Sequence, residues 1–581
     1  MKIAINILKG IAVTTLALAA TSCLEETFPT NEVTADQLGS DIPGLANGIT
    51  AYMTSYTSIS NNGTYADIGM AQNLIWHNTM TGDIPPTDVG YDYFSWYAEQ
   101  NYLGDWTQQT VFWRRNYYLI QKTNAVLGSA NLAYDSEDAR YVGNALCYRA
   151  MTYIEQAAQY EYFRTGTDLD AKADELGIWG ITVPIVTEKT TEDEARNNPR
   201  APFYEMYRFI NNDLLEAEKY LARITSTASI DNSTLGTAYG LHARLWLTMA
   251  TRFRLAPDDF TLQMNYEREE SDYAPLGVST VKECYQKAQE YARKAQSMSY
   301  QPLTMAQWFD PKTGFNSPNQ SWMLAIVITT DNGLADRDWQ SFVSYTCPEA
   351  TWGVANMSGD YKAARMIDAR LWETIKAGDW RRYTWVDPAD VASREAYNTK
   401  YADKTNLTFA DWSNWTALVG CKFHPAGGDI NTSKNGNAIS IPLMRVEEMA
   451  FIEMEATLFA DGFGAGKQVL ETWMTNYRME PGTTYRSQMT DEDELLDEII
   501  DMKRVELWLE GTSYFDFRRL RKAVIKAYPG TNHPKVYQYN SLPNAVAPWS
   551  TYFIPVSECN LNTACKRNPD PSGVIPQGQT Y

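Results

Sequence analysis

The sequence predicts a mainly α protein in which helix pairs carry long irregular loops and little β structure. Apolar and small residues recur every three or four positions over several long stretches, which is the period of an amphipathic helix. Residues 303–443 are different: they are rich in Gly, Asn, Asp and Trp. That region shows few clear periods beyond 359–377 and a short β-like stretch at 323–329, so we expect long loops on a helical frame.

The predicted helices come in two groups. Those before residue 300 are expected at 110–130, 139–163, 202–222, 234–254 and 281–298. Helical periodicity returns at 444–461, 466–478 and 491–523. Short helices in antiparallel pairs, small Ala residues at close contacts and Pro302 just after a second helix are typical of tetratricopeptide repeats. The irregular period indicates degenerate repeats.

The chain has 581 residues, which exceeds the usual size of a single core. We therefore expect two closely packed parts, an N-terminal helical part at 23–300 and a C-terminal part at 301–581 that includes the loop-rich insertion. Residues 1–22 are assigned to a signal peptide for the following reasons.

The N-terminus has the pattern of a lipoprotein signal. Lys2 and Lys9 are followed by an apolar run at 11–20, which is too short to span a bilayer and fits a signal h-region. Small residues then precede Cys23, as a lipoprotein signal peptidase requires, so we expect Cys23 to carry a lipid such as palmitate. Ordinary secretion with an unmodified Cys23 is the alternative. The acidic pair after Cys23 is either a surface-export signal or a solvated linker.

Charge and composition exclude several function classes. The net charge is −21, and removal of residues 1–22 takes away two lysines and no acid, leaving −23. Such a surface repels nucleic acid, and no Lys/Arg stripe counters it. Aromatic residues make up 13% of the chain, with 18 Trp and 37 Tyr, which suits sugar stacking or protein recognition as well as core packing. The six Cys after Cys23 form no CxxC motif, although Cys559 and Cys565 are close enough in sequence to pair.

Catalytic and metal-binding motifs are missing from the sequence. The four His are scattered, and there is no HExxH or GxSxG motif. The glycine-rich segment 462–467 has Asp461 and Gln468 where a phosphate loop needs Gly and Ser/Thr, so we interpret it as a turn between two helices. The acids at 491–501 fit a helix start, and neither they nor Asp331, Asp336 and Asp338 have the ligand order of an EF-hand, which leaves calcium there open. We expect no cofactor.

Several of these segments together resemble the SusD/RagB family of Bacteroidetes outer-membrane nutrient-binding lipoproteins. The first predicted helix matches a family face with Trp113, Tyr117, Ile120, Asn124 and Leu127. The next matches with Ala145, Arg149, Ala150 and Tyr153, before Gly180 and Pro184. A third matches with Tyr207, Ile210, Asp213, Leu214, Ala217 and Leu221.

The C-terminal part carries the most specific resemblance. The family helix with Arg and two Glu is matched by Arg445, Glu448, Glu453 and Ala456. The segment 506–519 resembles E-L-x-x-E-G-x-R-x-x-D-L-R-R, with Ser513 in place of the usual Arg, and the family's I-P and N-P pairs stand at 554–555 and 568–569. We expect the role of 506–519 to be structural: Gly511 would end a helix, and Arg518 and Arg519 would pair with Glu506, Glu510 or Asp516.

The resemblance implies a SusD-like fold and a binding function without catalysis. Such a protein sits on the outer membrane, held by its lipid, and hands a captured glycan to a SusC-like TonB-dependent transporter. A peptide ligand for the same import system is the main alternative. An enzyme acting on surface glycan would need two carboxylates converging roughly 5 to 10 Å apart. A purely structural or adhesive lipoprotein would have no transporter partner.

The resemblance also places the ligand loops before the first helix and in the central insertion. The first loop is 76–106, where the expected ligand-binding residues are Tyr93, Trp96 and Asn101, while Asp83 is expected to shape a turn. The central candidates are Trp339, Tyr345, Trp352, Trp412 and Trp415.

Overall fold

A computed structural model describes residues 41–55, 67–87, 92–98, 107–224, 229–356, 363–387, 390–401 and 417–574. Before residue 300 its helices are α1 (Ile42–Met53), α2 (Gln72–Thr81), α3 (Thr107–Ser129), α4 (Ala139–Tyr160), α5 (Leu169–Leu176), α6 (Glu192–Ala195), α7 (Phe203–Leu221), α8 (Leu235–Leu255), α9 (Pro257–Tyr266) and α10 (Val281–Gln296). After it they are α11 (Met305–Trp308), α12 (Phe342–Thr346), α13 (Ala369–Glu373), α14 (Val391–Tyr401), α15 (Ser433–Gly436), α16 (Val446–Asp461), α17 (Phe463–Tyr477), α18 (Glu492–Glu506), α19 (Ser513–Leu520) and α20 (Val556–Leu561).

The long helices pack as successive neighbours. Helix α3 packs on α4, α4 on α7, α7 on α8, and α8 on α10. Helix α10 then packs on α16, and α16 on α17. The mainly α fold class is thereby confirmed, because amphipathic helices bury their apolar faces against the next helix in the series. One core cluster includes residues on both sides of position 300, and the division into 23–300 and 301–581 stays a prediction.

Two small sheets complete the described architecture. Strand β1 (Trp322–Val327) pairs antiparallel with β4 (Ser440–Arg445), and β2 (Trp385–Val386) pairs antiparallel with β3 (Val419–Gly420). In the first sheet, Ile326 lies opposite Ile441. Both ends of the central insertion are therefore joined by backbone hydrogen bonds, which holds its loops against the helical frame.

Residues of the helical sequence motifs serve the frame. Arg149 of α4 makes two hydrogen bonds of 2.7 Å to the carboxylate of Asp213 on α7, and it also donates to Asn124 of α3 at 2.9 Å. Tyr117 donates to the carbonyl of Pro184 at 2.8 Å. The charge-assisted contacts of Arg149 hold three helices in one register, and the hydrogen bond from Tyr117 attaches the following loop to them.

A buried ionic cluster fixes the C-terminal part. Glu506 accepts hydrogen bonds from Arg478 at 2.7 and 2.9 Å, from Arg381 at 3.0 Å and from Arg445 at 3.3 Å. Glu510 accepts from Arg445 at 2.8 Å. These five side chains are between 0 and 4% exposed. Every one of them therefore depends on the others for solvation of its charge.

The expected pairing within 506–519 is only partly correct. Arg519 does pair with Asp516, at 2.7 Å, but Arg518 donates to the carbonyls of Ala158 and Glu161. The partners of Glu506 and Glu510 instead come from distant segments. Glu506, the last residue of α18, and Glu510, in the turn after it, both bind Arg445 of β4. Glu506 also binds Arg478, the residue that follows α17.

Gly511 lies in the turn between two helices rather than at a helix end. Helix α18 stops at Glu506, and Gly511 follows with a φ of +74°. A Cβ at this position would lie 3.1 Å from the Cα of Leu74, and the Gly511 amide donates to Asn78 at 2.8 Å. Only glycine permits both this backbone conformation and this close approach. The turn therefore packs directly on α2 and joins α2 to the C-terminal part.

Two further sequence expectations differ from the structure, and one agrees with it. The stretch 359–377 contains only the short helix α13 in its described part, because 363–368 runs extended and hydrogen-bonds to neighbouring loops. The single predicted helix 491–523 is two helices, α18 and α19. The glycine-rich segment at 462 does join two helices, α16 and α17, as expected.

The described residues contain no helix that is both long and apolar enough to cross a bilayer. The lipidation site expected at Cys23 lies outside the described residues. Cys559 and Cys565 are free thiols in this structure. They lie close enough for hydrogen bonding, which raises the pKa of Cys565 and lowers that of Cys559.

Candidate functional site

The candidate site begins with a loop that is fastened to the core by a buried ion pair. Asp92 accepts hydrogen bonds from the Arg365 guanidinium at 2.7 and 3.0 Å, and both side chains are fully buried. The other contacts of Asp92 come from the amide and hydroxyl of Thr87, at 2.9 and 2.7 Å. Arg365 also donates to the carbonyl of Tyr345 at 3.0 Å. A bidentate pair of this kind fixes orientation as well as position.

The next two residues of that loop point to different environments. Phe94 is fully buried, with its ring 5.6 Å from Trp76 and 4.8 Å from Tyr345. Tyr93 instead lies beside Trp339, with ring centroids 6.2 Å apart and planes inclined by 27°. Trp339 is half-buried. Burial of Phe94 thus fixes the backbone of this loop next to the point where Tyr93 stacks on Trp339.

Asn437 joins the central loops into one unit. Its Oδ1 accepts from Ser341 at 2.7 Å and from the indole of Trp352 at 3.2 Å, and its Nδ2 donates to the carbonyl of Arg337. Trp352 packs directly on Gly436, where a Cβ would come within 2.2 Å of the indole ring. A half-buried Trp352 is therefore held at a fixed angle beside the loop that carries Trp339.

Polar side chains border these rings. Asp336 forms an exposed ion pair with Lys434 at 2.9 Å, and Asp338 accepts from Ser433 at 2.9 Å. Asp331 is also exposed. In the ranges that the structure describes, no three His, Cys, Asp or Glu side chains converge as a metal site would require. The border therefore offers hydrogen-bond donors and acceptors.

The predicted ligand residues fall into three groups. Tyr93, Trp339 and Trp352 lie in the described loop cluster, and two of them stack on each other. Tyr345 is 1% exposed and packs against Phe94, so in this structure its ring serves the core beneath the loops. The side chain of Trp96 and the residues Asn101, Trp412 and Trp415 lie outside the described part.

The predicted first ligand loop is shorter than expected at its start. Residues 76–81 belong to α2, a helix whose ten residues are all buried. Asp83 holds the following turn in place by hydrogen bonds to its carboxylate. The carboxylate accepts hydrogen bonds from Arg504 at 2.7 and 3.0 Å and from Asn78 at 3.1 Å. The loop with room for ligand contacts therefore begins after this anchor.

Three residues of the site were missed from sequence. Asp92, Arg365 and Asn437 were not among the predicted ligand residues, and none belongs to a motif. Asp92 between two tyrosines offered one signal, because an acid flanked by aromatics must be either solvated or paired. Nothing in the sequence pointed to its partner Arg365.

The arrangement can bind a flat molecule with an apolar face and polar edges. Trp339 and Trp352 are half-buried and offer ring area for C–H contacts, whereas Tyr93 is 8% exposed and stacks on Trp339. The polar border can bind hydroxyl groups. The ion pair beneath gives the loop a defined position before a ligand arrives, which lowers the entropy cost of binding.

Comparison with known proteins agrees with this architecture. The model of the SusD family matches residues 280–570, which is half of the chain. No curated protein shows significant similarity to the chain.

Solved structures share the fold along nearly the whole chain. A SusD-like carbohydrate binding protein from Bacteroides vulgatus is 20% identical with a TM-score of 0.63, covering 91% of this chain and 97% of its own. A SusD superfamily protein from Parabacteroides distasonis is 15% identical with a TM-score of 0.61, covering 93% and 100%. Surface glycan-binding protein A from Bacteroides thetaiotaomicron, solved in complex with laminarihexaose, is 16% identical with a TM-score of 0.59, covering 91% and 99%. The chain belongs to the SusD family.

Proposed function

We propose that this protein is a glycan-capturing lipoprotein of the outer membrane that delivers its ligand to a SusC-like TonB-dependent transporter and catalyses no reaction. The observation that carries the proposal is the half-buried ring of Trp339, backed by the buried Tyr93, with its polar border. A sugar ring offers C–H groups to the exposed part of such a ring and hydroxyls to the border, and several weak contacts sum to a useful affinity. The neighbour that holds laminarihexaose supports a saccharide as the ligand class.

Binding is tested by isothermal titration of the full chain against a panel of soluble polysaccharides and oligosaccharides. We expect one saccharide class to bind, and Trp339→Ala to weaken that binding at least about tenfold, which corresponds to about 1.4 kcal/mol. Trp179→Ala is the matched control, because Trp179 is also half-buried but lies beside Tyr162 and Arg164 in the N-terminal part. Absence of binding to every saccharide overturns the proposal.

Oligopeptides belong in the same panel, since a peptide is the alternative ligand. Peptide binding with no saccharide binding would change the ligand class and keep the import role. Release of reducing ends from a bound glycan would instead contradict the absence of catalysis. The proposed residues Tyr93, Trp96, Asn101, Trp339, Tyr345, Trp352, Trp412 and Trp415 can each be ranked by an alanine series in that assay.

The membrane and transporter roles have their own tests. Cys23→Ala should move the protein from the membrane fraction to the soluble fraction if Cys23 carries the lipid. Affinity purification from membranes should recover a large TonB-dependent barrel. Recovery of the lipidated protein without any barrel would favour an adhesive or structural lipoprotein.

A further inference from the structure

A cavity of about 120 Å³ lies inside the helical frame and includes no residue of the loop cluster around Trp339. Helices α2, α4, α8, α16 and α19 all contribute to its wall. Most of the wall is apolar, including Met70, Leu74, Met151, Ile154 and Phe515. An apolar cavity of about 150 Å³ is large enough to bind benzene. The size of this cavity therefore suits a small ring or a short chain.

Most charged groups on the wall are already paired with each other. Arg244 donates to Glu448 at 2.6 and 2.7 Å, so this α8–α16 contact is satisfied. Lys503 and Arg519 both bind Asp516, at 2.9 and 2.7 Å. These charged groups therefore have partners within the protein and need none from a ligand.

Two acceptors on the wall are exceptions. Glu155 makes no hydrogen bond or ion pair with any described residue, and it keeps some accessible surface although protein surrounds it. Asn73 is 4% exposed, and its Oδ1 has no partner among the described residues. A buried acceptor without a donor costs about 1–3 kcal/mol, so Asn73 Oδ1 favours an occupant that supplies one. The accessible carboxyl group of Glu155 offers such an occupant a second acceptor.

The electrostatics of the wall favour a neutral occupant. Burial raises the pKa of Glu155 to about 7, with Arg244 lowering it and Glu448 raising it. Burial lowers the pKa of His77, on α2, to about 3, so His77 is neutral at neutral pH. Glu161 on the wall pairs with Arg252 at 2.7 Å, and Arg518 donates to the carbonyls of Ala158 and Glu161. These charged groups already have partners within the protein, and a neutral occupant would bring no further charge out of water.

We propose that this cavity is a second binding site, for a small neutral molecule with an apolar ring or chain and a hydroxyl or N–H group that donates to Glu155 or Asn73. The site is separate from the glycan-binding face and does not depend on the proposed function. Its wall comes from helices that join the two parts of the chain, so an occupant would stabilise the frame by linkage.

Fluorine NMR of the full chain tests the site with 4-fluorophenol, which has a donor, and fluorobenzene, which has none. We expect saturable binding of 4-fluorophenol to the unmodified protein and weaker binding of fluorobenzene. Glu155→Leu should reduce the affinity for 4-fluorophenol about tenfold and leave that for fluorobenzene unchanged, since only the acceptor is lost. Ala158→Leu should abolish binding of both probes by filling the cavity.

Ala195→Leu is the matched control for Ala158→Leu, because Ala195 is also partly exposed but lies on α6, outside the cavity. Failure of the unmodified protein to bind either probe would show that water alone fills the cavity, and would overturn the proposal. Binding that persists in Ala158→Leu, checked for native structure by circular dichroism, would overturn it as well. Loss of glycan binding in Trp339→Ala tests the other site and leaves these results unchanged.

Discussion

Two buried glutamates in this protein have pKa values that are shifted in opposite directions. Burial opposes ionisation of Glu506, but Arg478, Arg445 and Arg381 outweigh it and lower its pKa. Burial also opposes ionisation of Glu155, where Arg244 only partly offsets it, and the pKa of Glu155 is raised to about 7. The comparison shows that the number of direct donors, rather than depth, decides whether an interior carboxylate stabilises the fold.

The largest effect is expected from breaking the satisfied cluster. Glu506→Gln leaves three buried guanidinium groups without their shared anion, so the free energy of unfolding should fall by roughly 3–5 kcal/mol. Urea unfolding of the variant and the unmodified protein measures this fall in the free energy of unfolding. Glu453→Gln is the control, because its ion pair with Arg293 is half-exposed and should contribute at most about 1 kcal/mol. Equal effects of the two substitutions would contradict the distinction.

Lys526 extends the comparison to an interior cation that has no carboxylate partner among the described residues. It is 1% exposed, its Nζ is 3.5 Å from the Tyr539 hydroxyl, and burial lowers its pKa to about 7. The folded state therefore prefers neutral Lys526, and stability should fall as pH decreases from the unfolded value of 10.5 to 7. Lys526→Met should raise the free energy of unfolding by about 2 kcal/mol near neutral pH.

The check for Lys526 is a set of urea unfolding curves across alkaline pH. The variant should gain less over the unmodified protein as pH rises toward the unfolded pKa, because both states then hold a neutral lysine. Lys535→Met is the control, because Lys535 is exposed. A gain that is independent of pH would indicate better packing rather than removal of a charge.

Glu155 should give a smaller effect with a different pH window. Its folded pKa is above the ordinary value of 4.5, so its contribution to stability is fully present below pH 4.5 and is lost as pH rises to about 7. Glu155→Gln removes that loss and should raise the free energy of unfolding by about 1 kcal/mol above pH 7. Unfolding curves for the variant that fall with pH as steeply as those of the unmodified protein would contradict this assignment.

The smallest effect on stability is expected on the loop face. Trp339→Ala removes one half-buried ring from the stack with Tyr93, and we expect the melting temperature to change by only a few degrees, since about 1 kcal/mol is at stake. Differential scanning calorimetry measures it. The same variant should lose ligand affinity, so a large fall in melting temperature would place Trp339 in the frame instead.

The sequence predicts the helices of this structure better than it predicts the contacts between distant segments. Helices such as α4 and α7 were predictable because their contacts repeat at three and four residues, which a periodic pattern records. The cluster around Glu506 was not, since its arginines come from β4, from the residue after α17 and from the segment before β2. Sequence spacing favoured Arg518 and Arg519, which are near in the chain but point elsewhere.

The candidate site was predictable in composition and not in geometry. Aromatic density pointed to both loops, but only the fold brings Tyr93 to Trp339. Tyr345 looked equivalent to these residues in sequence, yet it lies under Phe94 because Arg365 holds its backbone there. Long-range polar contacts of this kind leave no local period, and a single sequence cannot reveal them.

The ion pair between Asp92 and Arg365 has a consequence for how such proteins diversify. It holds the loop by atoms that a ligand never touches, so residues at the tip can be exchanged without loosening the attachment. Both side chains of the pair are fully buried, so the attachment does not depend on the side chains that face outward. The side chains that face outward and the ion pair that attaches the loop are therefore different residues, so one scaffold can carry different binding specificities.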